Sequence, residues 1–313
     1  MMPIIEQALK DRGYEVVGPD DLEPFLFSQR IRATGKLSRE QFKALGKEFG
    51  ASLAMVGSVD LFADSPGNPQ WGVSGRLLDT GSGAIVWADA AGFTGDDFTG
   101  LLGLGTITSP DDLATKAIER LFHALPAGGT ESASGAGPVV ESRPGKGPPG
   151  VFRDPRMETD PPKRVAILPF ENGTERRGAA LIVDDLVEVA VFQTRRHEVV
   201  DSGEVRRALQ ALGLAPYGGI DLDSLGKVGE ALGVDAVILG RVQEYNEGLR
   251  PGASTSPSMG LDARMLDVKT GKIIWMGYHA ARGEDSQIVL EFGKIKSMVP
   301  LAMKVITELI GTM

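Results

Sequence analysis

The strongest constraint on the fold of this chain is an internal repeat, because a repeated sequence tends to fold twice in the same way. The segment from Tyr14 to Phe62 aligns without a gap with the segment from His197 to Tyr245. The alignment resumes after a longer connection in the second copy, where RLLDTGSGAIVW at 76–87 meets RMLDVKTGKIIW at 264–275. Register kept across strand, turn and helix patterns predicts two copies of one small domain.

Each copy alternates between strand and helix patterns. In the second copy, RVAILPF at 164–170 is a short branched run closed by a proline, which is typical of a buried strand. An amphipathic helix, the strand HEVV, a capped second helix, three further strands and a final helix follow. The sequence therefore predicts an α/β fold: a tandem repeat of a mixed five-stranded sheet, with parallel first strands and an antiparallel meander at the end, flanked by helices on both faces.

The domain boundaries follow from the repeat and from composition. Residues 1–125 form copy one and residues 163–313 form copy two. Residues 126–162 are rich in Pro, Gly and Ser and hold too few apolar side chains to form a core, which predicts a flexible linker. The chain length of 313 residues also favours two domains, because single cores seldom grow beyond about 250–300 residues.

Copy one begins at a position that aligns with the middle of the first helix of copy two, so it lacks a counterpart of the strand at 164–170. Three explanations stand open. The true start lies upstream of Met1, the chain has been trimmed, or another segment such as Val139-Val140 fills the gap. We favour an upstream start, preceded by a signal peptide and carrying a possible lipid anchor.

Charge and composition exclude several classes of function. A formal net charge of -9 without a cluster of Lys and Arg argues against a nucleic-acid partner. The chain has no cysteine, which excludes disulfides, thiolate nucleophiles and Cys-ligated metals. No stretch of 18 apolar residues is present, so the sequence predicts no transmembrane helix.

Three motifs carry a resemblance to a known family: VAILPFENGT, LGVDAVILGRV with its preceding helix, and LDVKTGKIIW. The chain resembles the CsgG-like domains of curli-assembly lipoproteins, which are similar in fold to TolB amino-terminal domains. This resemblance implies a non-enzymatic, periplasmic or outer-membrane-associated protein that acts as a protein-binding assembly or accessory factor. Its implied partners are other envelope proteins or further copies of itself. The connections at 63–70 and 246–258 are too short and too polar for the membrane-spanning hairpins of a pore.

No catalytic, cofactor-binding or metal-binding constellation is predicted. The three histidines are scattered, and Asp79 and Asp267 each precede a glycine turn, where a carboxylate accepts backbone N–H bonds. Trp87 and Trp275 end equivalent strands, and we expect them to pack in the cores rather than to anchor a partner.

Two groups of residues remain as candidate contacts. The first is a glycine-rich apolar stretch, suited to a protein partner if exposed and to the core if its side chains tuck under the last helix; its members are Phe98, Leu101, Leu102 and Leu104. The second comprises Asn172, Gly173 and Thr174, which follow the first strand of copy two. Open α/β sheets bind ligands at the carboxyl ends of parallel strands, so the alternative function is a small-ligand sensor that uses this crevice. A hydrolase with unpaired carboxylates ranks last.

Overall fold

The computed structural model describes residues 2–31, 34–64, 67–99, 105–128, 150–215, 220–248, 256–287 and 293–313. The chain divides into two compact units, unit 1 at Met1–Val139 and unit 2 at Val140–Met313. Both units combine helices with a β-sheet, which confirms the predicted α/β class.

Unit 2 is built on a mixed sheet that keeps the five predicted strands and adds two short ones. The strands are β4 (Phe152–Arg153), β5 (Arg164–Ile167), β6 (Glu171–Asn172), β7 (Glu198–Val200), β8 (Ala236–Asn246), β9 (Ser258–Asp267) and β10 (Ile273–Arg282). Their order in the sheet is β4-β10-β9-β8-β5-β7, with β6 paired to β8. Strand β5 pairs in parallel with β7 and β8, whereas β8, β9 and β10 form the antiparallel meander.

Helices cover both faces of the unit 2 sheet, as the amphipathic patterns predict. Helices α6 (Ala179–Gln193) and α9 (Met298–Ile310) pack on each other and on one face, against β8, β9 and β10. Helices α7 (Ser202–Ala211) and α8 (Leu222–Leu232) form the other layer, with a core of their own around Val205, Val228 and Val237. A one-turn helix, α5 (Arg156–Thr159), lies before β5.

Unit 1 has a smaller sheet in its described residues, with three antiparallel strands in the order β1-β2-β3. These are β1 (Leu53–Ala63), β2 (Gln70–Asp79) and β3 (Ile85–Thr94). Helix α4 (Pro110–Leu121) packs on β2 and β3, α1 (Met2–Lys10) packs on α4, and α3 (Arg39–Phe49) contacts β1. Helix α2 (Pro19–Ser28) lies between α1 and α3 in the chain.

The meanders of the two units have matching registers. Strands β1 and β8 both span 11 residues, and both carry an irregularity at the same place, between Val59 and Leu61 and between Val242 and Glu244. The helices before them also agree in length, since α3 and α8 each have 11 residues and end at a left-handed glycine, Gly50 or Gly233. Val56 of β1 and Leu239 of β8 thus occupy corresponding positions opposite Arg76 and Arg264.

The alignment of YEVV at 14–17 with the predicted strand HEVV of copy two implies a strand in copy one as well, but the structure shows none at Tyr14–Val17. The reason lies in the pairing of unit 2, where the corresponding strand β7 bonds only to β5. No described strand of unit 1 corresponds to β5, so an extended segment at Tyr14–Val17 has no neighbour with which to pair. Within the described residues the sheet of unit 1 has three strands, one fewer than the four expected for a copy that lacks its first strand.

The predicted linker at 126–162 is also wrong in its last part. Residues 150–162 belong to unit 2, because β4 pairs with β10 and the Asp154 amide donates to the Ile274 carbonyl at 2.8 Å. Met157 of α5 is buried. A strand of two residues has no detectable sequence period, which is why composition alone assigned it to the linker. The remaining part at 129–149, including Val139-Val140, lies outside the described residues.

Candidate functional site

A cleft of about 260 Å³ lies in unit 2. It lies where β5 ends, beside the α7–α8 layer. Its apolar walls come from the chain after β5, the end of α7 and the approach to α8, and its floor comes from β8 and β9. The lining residues are Leu168, Pro169, Glu171, Leu209, Leu214, Ala215, Ile220, Asp221, Ser224, Leu239, Gly240, Arg241, Asp262 and Arg264.

The start of α8 supplies one polar edge of the cleft. Asp221 caps this helix, since its carboxylate accepts the Ser224 amide at 2.9 Å and the Ser224 hydroxyl at 2.7 Å. The hydrogen bonds from Ser224 lower the pKa of Asp221 below its ordinary value. This carboxylate is therefore ionised near neutral pH and engaged in the cap, which makes it a structural group rather than an acid catalyst.

The floor of the cleft carries two exposed guanidinium groups on neighbouring strands. Arg264 of β9 lies opposite Leu239 of β8, and Arg241 of β8 lies opposite Asp262 of β9. Residues directly opposite in an antiparallel pair project from the same face, so both arginines emerge beside one another. Asp262 also accepts a hydrogen bond from the Gln243 amide group.

The same face continues beyond the cleft as an exposed surface. Met276 lies opposite Arg264, Tyr278 lies opposite Asp262, and Phe152 of β4 lies opposite Met276. The exposed fractions are 43% for Met276, 45% for Tyr278 and 48% for Phe152, high values for large apolar side chains. We name this surface the β9–β10 patch, formed by Phe152, Asp262, Arg264, Met276 and Tyr278.

The residues predicted for the crevice lie next to the cleft but do not line it. The Asn172 side chain accepts the Thr174 amide at 3.0 Å and donates to the Arg176 carbonyl at 2.9 Å, so it holds its own turn together. Gly173 donates its amide to the Val242 carbonyl, and the Arg241 guanidinium lies against it. The wall of the cleft comes instead from Glu171, at the start of β6.

The predicted apolar contact region of unit 1 is described only in part. Phe98 is half-buried and its ring lies 5.3 Å from that of Phe93, within the core of the α4 side. This placement agrees with the core alternative for Phe98. Leu101, Leu102 and Leu104 lie outside the described residues.

The remaining sequence candidates have structural roles. Asp79 accepts the Ser82 amide at 2.7 Å and Asp267 accepts the Thr270 amide at 2.8 Å, which confirms the predicted turn chemistry. Trp87 and Trp275 are both buried, as predicted. Among the described residues, no group of three or more His, Asp or Glu side chains could hold a metal ion. Within the same residues, none of the helices has the length and apolarity needed to cross a membrane.

Comparison with known proteins returned structural similarities only. No family model and no curated protein matches the chain. A PelC dodecamer from Paraburkholderia phytofirmans matches at 15% identity and a TM-score of 0.32, over 47% of this chain and 84% of that one. Lipoprotein GNA1162 from Neisseria meningitidis matches at 21% identity and 0.32, over 39% and 83%. The C-terminal domain of LpoB from Escherichia coli matches at 20% identity and 0.28, over 38% and 83%.

Proposed function

We propose that this chain is a non-enzymatic, protein-binding accessory factor of the cell envelope, and that the β9–β10 patch of unit 2 is its contact surface. The observation that carries the proposal is the exposure of Phe152, Met276 and Tyr278 side by side on a regular sheet. A folded monomer seldom exposes a cluster of large apolar side chains to water unless the cluster is a contact surface.

The chemistry of the patch favours a protein partner. Aromatic residues, Met and Arg are the types enriched at the centres of protein interfaces, and the patch combines all three. Arg264 lies between the apolar side chains and the cleft, where it would pair with a carboxylate of the partner. The partner surface is therefore apolar at its centre and acidic beside the cleft.

The proposed envelope location, and the proposed relation to curli-assembly lipoproteins, rest on the three motifs that resemble CsgG-like domains. Cell fractionation of the source organism tests the location directly. We expect the protein in the periplasmic or outer-membrane fraction, and recovery in the cytosol alone would contradict the envelope assignment.

The binding surface is tested by capture of partners with the tagged full chain and two variants. Met276→Ser combined with Tyr278→Ser removes the apolar centre without touching the core, because both side chains are exposed. Leu181→Ser is the matched control, since Leu181 is also exposed but lies on α6. We expect a partner that the wild type and the control retain and the double variant loses. Equal capture by all three proteins would refute the assignment of the β9–β10 patch as the contact surface.

The cleft supports a second candidate function, binding of a small amphiphilic anion. Leu209, Leu214 and Ile220 offer an apolar wall, and Arg241 and Arg264 offer two cationic donors on the floor. Decyl phosphate is a suitable probe, because its chain and head group match these two halves. If decyl phosphate raises the melting temperature of the wild type, and if Arg241→Met and Arg264→Met each abolish this rise, the result would support binding of an amphiphilic anion in the cleft. An unchanged melting temperature in the wild type would exclude it for this ligand class.

A further inference from the structure

Helix α2 of unit 1 and helix α7 of unit 2 occupy aligned positions in the two copies. The gapless alignment that begins at Tyr14 and His197 places Pro19–Ser28 on Ser202–Ala211, and both ranges are helices of ten residues. The exposed positions in the second half of each helix coincide as well; they are Glu23, Pro24, Phe27 and Ser28 in α2 and Arg206, Arg207, Gln210 and Ala211 in α7. The chemistry of the two exposed faces can therefore be compared position by position.

The two exposed faces carry opposite charge. Helix α2 has three carboxylates and no basic side chain, whereas α7 has Arg206 and Arg207 beside a single glutamate. Glu23 and Arg206 occupy the same aligned position, and both side chains are exposed. In the described part of the chain, neither of these two side chains takes part in an ion pair. An acidic helix face and a basic helix face are thus both open to a partner.

The position of Glu23 is not explained by the chemistry of its own helix. Asp20 and Asp21 lie in the first turn of α2, where carboxylates favour the positive end of the helix dipole. Glu23 lies after that turn, and within the described residues it has no basic neighbour on α2. Its charge is therefore available for an interaction outside the helix.

Phe27 places an aromatic ring on the same face as Glu23. It lies four positions after Glu23, which is one helical turn, and its side chain is 87% exposed. Helix α7 has Gln210 at this position. On the inner side of α2, the Phe25 ring packs on the Phe49 ring of α3 at 5.5 Å, so the helix is held with Phe27 outward. An aromatic side chain presented in this way is typical of an interface anchor.

We propose that α2 of one copy binds α7 of a second copy, with Glu23 against Arg206 and the Phe27 ring packed on α7. Glu23 and Arg206 are each the fifth residue of a ten-residue helix, so these two side chains meet when the helices cross at their centres. Arginine side chains stack favourably on aromatic rings, which suits the surface that α7 offers to Phe27. The opposite charges select the pairing, and the ring supplies apolar contact area.

The charges also exclude pairing of like with like. Two copies of α2 would bring Glu23 against Glu23, and two copies of α7 would bring Arg206 against Arg206. The contact therefore joins two different surfaces, and every chain carries one of each. Both surfaces are separate from the β9–β10 patch, so this contact does not depend on the function proposed for the patch.

The test is the association of the full chain, measured by analytical ultracentrifugation over a concentration series. We expect reversible association of the wild type. Glu23→Arg and Arg206→Glu should each weaken it by at least about tenfold, equivalent to about 1.4 kcal/mol, because like charges then oppose. An equimolar mixture of these two variants should associate like the wild type, since every α2–α7 contact in a mixed pair again joins opposite charges. Phe27→Ser should also weaken association.

Two controls separate this contact from other causes of association. Glu119→Arg reverses a charge on α4 at a side chain that is 56% exposed, and this variant should associate like the wild type. Met276→Ser combined with Tyr278→Ser removes the apolar centre of the β9–β10 patch and should also leave association unchanged. Circular dichroism of each variant checks that the fold is retained.

Four outcomes would overturn the proposal. The first is a wild type that stays monomeric throughout the series, in which case the acidic face of α2 would serve a different, basic protein. The second is association that neither Glu23→Arg nor Arg206→Glu weakens. The third is a mixture of these two variants that associates no better than each variant alone. The fourth is loss of association in the patch variant, which would place the contact on the β9–β10 patch.

Discussion

Trp275 donates its indole N–H to the Thr312 hydroxyl at 3.0 Å and so joins β10 to the turn that follows α9. The Trp275 side chain is fully buried, and the Thr312 hydroxyl in turn donates to the Leu309 carbonyl at 2.6 Å. The turn after α9 is thereby attached to β10.

Thr312→Val should destabilise unit 2, because it leaves the indole N–H buried without its acceptor. We expect a loss of about 1–3 kcal/mol in the free energy of unfolding, the usual range for such a group. Urea denaturation followed by tryptophan fluorescence measures it. Thr312→Ser keeps the hydroxyl and should behave like the wild type. Equal stability of Thr312→Val and the wild type would show that the bond contributes nothing.

His197 should make unit 2 less stable in mild acid. Burial lowers the pKa of His197 below its ordinary value of 6.5, an effect that the Arg196 charge reinforces and the bond to the Pro162 carbonyl opposes. The unfolded chain therefore takes up the proton more readily than the folded one. The contribution of neutral His197 to the stability of unit 2 is fully present above pH 6.5, and it is lost as the pH falls through the pKa of His197 in the folded protein.

The His197→Asn variant tests this dependence, since an asparagine amide can still donate to the Pro162 carbonyl but does not titrate. We expect the urea midpoints at pH 7.5 and pH 5.5 to differ less in this variant than in the wild type. These two values lie about one pH unit above and below the ordinary pKa of histidine. His123→Asn is the control, because His123 is exposed and lies in unit 1. An unchanged pH dependence in His197→Asn would assign the acid sensitivity to other groups.

Two glycines of the α8 region should respond in opposite directions to alanine. Gly233 ends the helix with a φ of 61°, where a side chain is strained, so Gly233→Ala should cost about 1 kcal/mol. Gly226 lies inside the helix with open space around it, so Gly226→Ala should stabilise by roughly 0.5–1 kcal/mol. Thermal unfolding of both variants checks the pair. A stabilised Gly233→Ala would contradict the left-handed cap.

Phe170→Ala should be among the most damaging substitutions in unit 2. The ring is fully buried beside Gly240, and the Phe170 amide donates to the Asp184 carboxylate at 2.8 Å. Loss of the ring leaves a cavity, with an expected cost of about 3–5 kcal/mol. Leu181→Ala, at an exposed position of α6, should change stability by less than about 0.5 kcal/mol. Comparable unfolding curves for the two variants would exclude the proposed packing role of Phe170.

Local chemistry made much of the fold predictable from the sequence. Ser38 with Gln41 forms the expected capping box, and Gly50 ends α3 in the left-handed conformation. The carboxylates of Asp79 and Asp267 accept the expected amides in their turns. These features depend on residues a few positions apart, so a single sequence contains the whole signal.

The candidate site could not be predicted in the same way, because its residues meet only through strand pairing. Phe152, Arg264 and Met276 come from three strands, and β4 is too short to show a hydrophobic period. The sequence indicated the carboxyl end of β5 and placed Asn172 there. It gave no indication that the Asn172 side chain would be used by its own turn, or that Arg241 would line the cleft.

The position of β4 also decides where the second unit can be separated from the first. A recombinant fragment that begins at Lys163 would lose the β4 pairing with Trp275 and Met276 and the buried Met157. It would also uncover Gly277, against which Val151 packs. Such a fragment would expose apolar surface at the β10 edge and would be prone to precipitate. Expression of unit 2 alone should therefore start before Gly150, so that the edge is purified with its own cover.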